Sequence, residues 1–130
     1  MSYKMSFYIL IGAILAFLAV AFGAFGAHAL KDVLTDHYAT VYETAVQYQM
    51  FHAVGLILIG ILMSKSLFGP IPLLSRAGMI MLIGTIVFSG SLYVLAVTQI
   101  KVLGAITPIG GVLFLIAWVL VMIAAVKFGK

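Results

Sequence analysis

The sequence predicts an all-α membrane protein: a bundle of four transmembrane helices forming one domain over residues 1–130, with both termini cytoplasmic and an amphipathic external segment between helices one and two. Three observations carry that expectation. Hydrophobic residues make up 65% of the chain and charged residues 8%, with a mean hydropathy of +1.31, whereas soluble domains are about a quarter charged. The apolar residues fall into four blocks of roughly 20 residues, the length that crosses a bilayer. Those blocks lack the period-two alternation of membrane strands, and helices satisfy their own backbone groups where lipid offers no partner.

Span one is expected over Ser6–Ala27. Lys4 followed by an apolar run opens like a signal peptide, yet the run reaches His28 with no polar cleavage region, so the segment reads as a retained span. Gly12, Ala16, Ala19, Gly23 and Gly26 step by three and four residues, forming a small-residue seam where another helix can approach closely. Span two is expected over Ala45–Met63. Before it, Leu30, Val33, Leu34, His37, Tyr38 and Val41 recur at helical steps opposite Lys31, Asp32, Thr35 and Asp36, which predicts a stretch lying on the external surface. Thr40-Val41-Tyr42-Glu43 fits the capping box S/T-x-x-E at the entry to this span, and Tyr38, Tyr42 and Tyr48 suit a headgroup belt.

Span three is expected over Ala77–Val97, after a connection shaped by Pro70 and Pro72. It carries Gly84, Ser91 and Thr98 on one row and Thr85, Ser89 and Tyr93 on the next. Span four is expected over Val102–Val126, after a tight hairpin at Gln99–Lys101. Pro108 stands near its start, where a missing N–H costs little, and Thr107, Gly111, Phe114 and Trp118 share one stripe.

The charges orient the bundle. Lys4, Lys65, Arg76, Lys127 and Lys130 fall on one side, while Lys31 and Lys101 share the other with Asp32, Asp36 and Glu43, so the positive-inside rule places both termini in the cytoplasm. The pI near 9.5 then reflects topology, and no basic and aromatic patch suggests a nucleic-acid partner.

With directions assigned, scattered polar residues are expected to meet in the external half: His28, Gln49, His52, Ser89, Ser91, Tyr93 and Thr107 form the candidate ligand-binding set. His52 is the most informative, because an ionisable group inside a span faces protein or water. A neutral imidazole bonded across the bundle to a Ser, Thr or Tyr would join helices by about 1 kcal/mol. Glu43 points about 180° away from His52 on a continuous helix, which argues against an acid/base pair on one element. Cysteine is absent, and His28 and His52 lack further ligands at metal-binding spacing, so neither metal nor cofactor is expected.

GAFGAHAL at 23–30, YQMFHAVGL at 48–56, FSGSLY at 88–93 and ITPIGG at 106–111 together resemble the small bacterial membrane-protein family catalogued as domain of unknown function 423, whose eukaryotic relatives resemble transmembrane protein 256. The similarity runs over essentially the whole chain, with its motifs in order and at family spacing. It implies a four-span architecture and a bacterial cytoplasmic (inner) membrane, and it marks Pro108 and the seven candidate residues as motif positions without supplying a catalytic group.

Two functional classes follow. One is a non-enzymatic scaffold or accessory subunit whose polar cluster locks the bundle or contacts membrane lipids, a protein partner or a second copy. The other is a lipid or small-molecule site in a membrane enzyme or oligomeric transporter. The lack of a nucleophile and base pair, the short loops and the small-residue seams favour the first.

Overall fold

The computed structural model describes residues 3–129; Lys130 of the cationic set lies outside the described residues. Four long helices follow one another, α1 (Tyr3–Ala29), α2 (Asp36–Leu62), α3 (Pro72–Thr98) and α4 (Thr107–Phe128), with a 3-10 turn at Lys101–Ala105 before α4. All four are long and apolar enough to cross a membrane. The three of 27 residues run roughly 40 Å at 1.5 Å per residue, longer than a hydrocarbon core of about 30 Å.

From Asp36 onward, the stretch expected ahead of span two is continuous with the helix of that span, α2, rather than a separate element. The helix starts at Asp36, with Thr35 as N-cap, its hydroxyl facing the Tyr38 amide at 3.5 Å. Nothing between Asp36 and Ala45 breaks a helix, and the apolar period of this stretch runs in phase with the span that follows. The capping box at Thr40 therefore does not form. Thr40 lies inside the helix, its hydroxyl donating to Asp36 O at 3.0 Å, and Glu43 is exposed. Tyr42, expected at the headgroups, is buried.

α1 packs along α2, α2 along α3 and α3 along α4, so α2 and α3 form the centre and the outer helices flank them. The small-residue seam of α1 faces α2: a Cβ at Gly12 would stand 2.7 Å from Ala53 O, and Gly60 on α2 meets Met5 O at 3.0 Å in the same sense. Part of each polar row of α3 faces a different neighbour, while Thr85 and Thr98 bond back to Met81 O and Val94 O of their own helix. Ser89 and Tyr93 turn to α2, whereas Gly84 and Ser91 turn to Phe114 and Thr107 on α4. Span four begins five residues later than expected, because the residues ahead of Thr107 wind as a 3-10 turn and Pro108 occupies the first helical turn.

The core divides by level. At the end holding the start of α1 and the close of α4, Tyr8, Leu56, Ile59, Met63, Leu74, Met81 and Ala124 pack into one buried cluster. At the other end Ala45, Leu92 and Leu95 are buried beneath Tyr38, Val41 and Leu103. Gln49, His52 and Thr85 are buried between these two layers.

Candidate functional site

Six of the seven candidate residues are held by hydrogen bonds that join helices or brace one helix locally. Gln49 bridges three helices: its Nε2 donates to Leu15 O on α1 at 2.8 Å, and its Oε1 accepts from the Tyr93 hydroxyl on α3 at 2.7 Å. Ser89 donates to Ala45 O at 2.8 Å, joining α3 to α2. Ser91 gives its single hydrogen to Phe88 O at 2.9 Å, so the hydroxyl of Thr107, 2.6 Å away, is the donor in the bond that ties α4 to α3.

His52 makes the link between α2 and α4. Its Nδ1 lies 2.9 Å from Tyr48 O, and a carbonyl only accepts, so Nδ1 carries the proton. Nε2 is left with its lone pair and accepts from Trp118 Nε1–H at 3.1 Å. The ring is therefore a neutral imidazole with both nitrogens occupied. It stacks on Phe114 with centroids 3.5 Å apart and planes within 8°, and Trp118 approaches it at 5.8 Å.

These contacts occupy two depths. Ser89 meets Ala45, whereas His52 stands seven residues farther along α2, about 10 Å deeper at 1.5 Å per residue. The expected single polar pocket is thus a staggered series of clasps. His28, in the last turn of α1, is exposed and takes no part in them. The partner of His52 is also corrected, from a hydroxyl to the indole of Trp118.

Two further tyrosines act in the same way and were not among the candidates. Tyr42 donates to Phe22 O at 2.6 Å and Tyr8 to Ser75 O at 2.7 Å. In each case a helix carbonyl already engaged in its own ladder accepts a second bond through its other lone pair. Among the described residues, every buried side-chain nitrogen and oxygen has a hydrogen-bond partner. Among those residues, too, no three His, Asp or Glu side chains gather as a metal site.

Beside His52 a lateral groove of about 720 Å³ opens between α2 and α4. Tyr48, Phe51, Phe88, Phe114 and Trp118 give it aromatic walls, and Gln47 stands at one end. Of the candidate residues only His52 lines it. A second, smaller cleft of about 400 Å³ lies between the close of α1 and the start of α2, lined in part by Lys31, Glu43 and Gln47.

Residues 22–111 match the family model described as "Protein of unknown function (DUF423)". The chain belongs to this family. It is 50% identical over 124 residues to UPF0382 membrane protein YwdK of Bacillus subtilis, covering 95% of this chain and 99% of the relative. A UPF0382 membrane protein of Staphylococcus epidermidis is 48% identical over 124 residues, covering 95% and 98%. No solved structure matches the chain. With relatives in two bacterial genera named as membrane proteins and four helices fit to cross a bilayer, this DUF423 chain is a bacterial membrane protein.

The DUF423 match takes in Tyr42, Gln49, His52, Ser89, Ser91, Tyr93 and Thr107 and stops short of Trp118. Trp118 had a signal in the sequence nonetheless. It is the deepest member of the Thr107, Gly111, Phe114 stripe, and α2 and α4 run in the same direction, so depth matching brings His52 to Phe114 and Trp118 rather than to the hydroxyls near the rim.

Proposed function

We propose that this DUF423 protein is a non-enzymatic scaffold or accessory subunit of the bacterial cytoplasmic membrane, oriented with its termini in the cytoplasm and its polar clasps in the external half. One observation carries the reading: the buried polar side chains are satisfied by one another and by the backbone. A group poised for chemistry keeps a reactive atom available to substrate, and both nitrogens of His52, the only buried histidine among the described residues, are taken by Tyr48 and Trp118. Hydrogen bonds of this kind contribute about 0.6–2 kcal/mol each between membrane helices, so the seven described above lock four helices into one arrangement.

The test is His52→Ala in detergent, followed by thermal unfolding and by mass spectrometry of co-purified small molecules. The expected result is a lower unfolding temperature with the co-purified molecules unchanged. Unchanged stability with loss of a bound molecule contradicts the scaffold reading and favours a ligand site at His52.

A further inference from the structure

The outward face of α2 changes character along its length. Glu43, Gln47 and Phe51 follow one another at four-residue steps, so they form a single stripe, and all three are exposed. Polarity falls along the stripe from carboxylate to amide to aromatic ring, as it falls along a phospholipid from headgroup to chain. The depressions on either side follow the same order. The cleft toward α1 places Lys31 and Glu43 about an opening floored by Gly23 and Gly26, while the groove toward α4 is aromatic. Gln47 lines both, so the two depressions adjoin at its side chain on the outward face of α2. The volume of the groove falls within the range of about 300–1,000 Å³ typical of ligand sites.

We propose that the two adjoining depressions form a binding site for one phospholipid with a primary-amine headgroup. Lys31 pairs with the phosphate and Glu43 with the ammonium, Gln47 meets the ester region, and one hydrocarbon chain lies in the groove against Phe51, Leu115 and Trp118. The pairing of charges selects the class. An anionic lipid would satisfy Lys31 but bring like charge toward Glu43, and a quaternary ammonium has no N–H to donate to the carboxylate, whereas a primary ammonium offers three. A purely apolar molecule would leave Lys31 and Glu43 unused. The site lies on the outer face of α2 and shares with the interior only the His52–Trp118 clasp, which backs the groove.

The full-length protein, exchanged into an equal mixture of phosphatidylethanolamine, phosphatidylcholine and phosphatidylglycerol with identical chains, is examined by native mass spectrometry. One bound lipid per chain is expected, with phosphatidylethanolamine enriched about threefold, as an exposed ion pair allows. Glu43→Gln removes the preference over phosphatidylglycerol, and Lys31→Gln lowers retention of all three. Gly111→Leu, which projects a side chain into the groove, lowers total occupancy. Glu43→Gln and Lys31→Gln keep the parent unfolding temperature, because both residues are exposed, whereas Gly111→Leu, whose Cβ would rest 3.9 Å from Phe88, is compared at matched fractions of folded protein. Bound lipid in proportion to the mixture overturns the proposal, as does a preference that survives Glu43→Gln. A lipid-free dimer that Gly111→Leu dissociates also overturns it, and assigns the groove to a second copy of the chain.

Discussion

Gly110 marks the tightest approach between α3 and α4: a Cβ there would stand 2.5 Å from Phe88 N and 2.7 Å from its Cα, and backbone cannot swing aside as a side chain can. Gly110→Ala is therefore expected to push the helices apart and lower stability by about 1–3 kcal/mol, read as a reduced unfolding temperature in detergent. Gly90, twenty residues earlier on α3, has no neighbour within 4 Å of its missing Cβ. Gly90→Ala is expected to leave the bundle unchanged or stabilise it by about 0.5–1 kcal/mol through helix propensity. The contrast separates glycines kept for contact from those that are not, and a loss at Gly90 equal to that at Gly110 would contradict it. At the same scale His52 shows why a buried histidine is ambiguous in sequence. Its residue type says that it needs partners, but the identity of those partners, Tyr48 O and Trp118 Nε1, depends on how far α4 is shifted along α2.

Between α3 and the 3-10 turn the chain reverses through Gln99, which has φ 60° and ψ 25°, a left-handed conformation that costs an L residue about 1–2 kcal/mol. Its amide bonds Leu95 O at 2.7 Å, closing the helix as a C-cap. Gln99→Gly is expected to relieve that conformation, offset by the greater freedom of glycine in the unfolded chain, for a net gain of up to about 1 kcal/mol in chemical unfolding. A loss would show that the glutamine side chain supplies something the backbone geometry does not. Elements were legible in the sequence where hydrophobic length and small-residue spacing are long-range signals: four spans and a seam on α1 open to another helix, which the structure gives as α2. Boundaries were less so. Thr40 and Glu43 satisfy the capping pattern, but Thr35 satisfies the same chemical requirement a turn and a half earlier, and with no Gly or Pro between them the longer helix wins. Of the candidate residues Gln49, His52, Ser89 and Ser91 are buried and Tyr93 and Thr107 half-buried, a placement that the rarity of polar groups inside a span foreshadows. Their division into separate clasps was not readable, since helical phase fixes direction from one axis and not the offset between axes.

Across the whole molecule, the buried polar side chains and the glycines at helix contacts join the four helices, where water contributes no hydrophobic drive between them. Lys4 and Arg76 border one cleft at the end where the chain starts, and Lys31 and Glu43 border another at the opposite end. The proposed orientation follows from that asymmetry, and the absence of cysteine makes it directly testable. A membrane-impermeant maleimide is expected to label Lys101→Cys in intact cells and Ser66→Cys only after the membrane is opened; the reverse pattern would invert the topology. The central claim is that the interior polar groups act on each other. A double-mutant cycle of Gln49→Leu and Tyr93→Phe, measured by reversible unfolding in mixed micelles, bears on it most directly. Their bond of 2.7 Å predicts a coupling of about 0.5–2 kcal/mol, so that the second substitution costs less once the first is made. Strictly additive losses would contradict the clasp, and with it the scaffold built from such bonds.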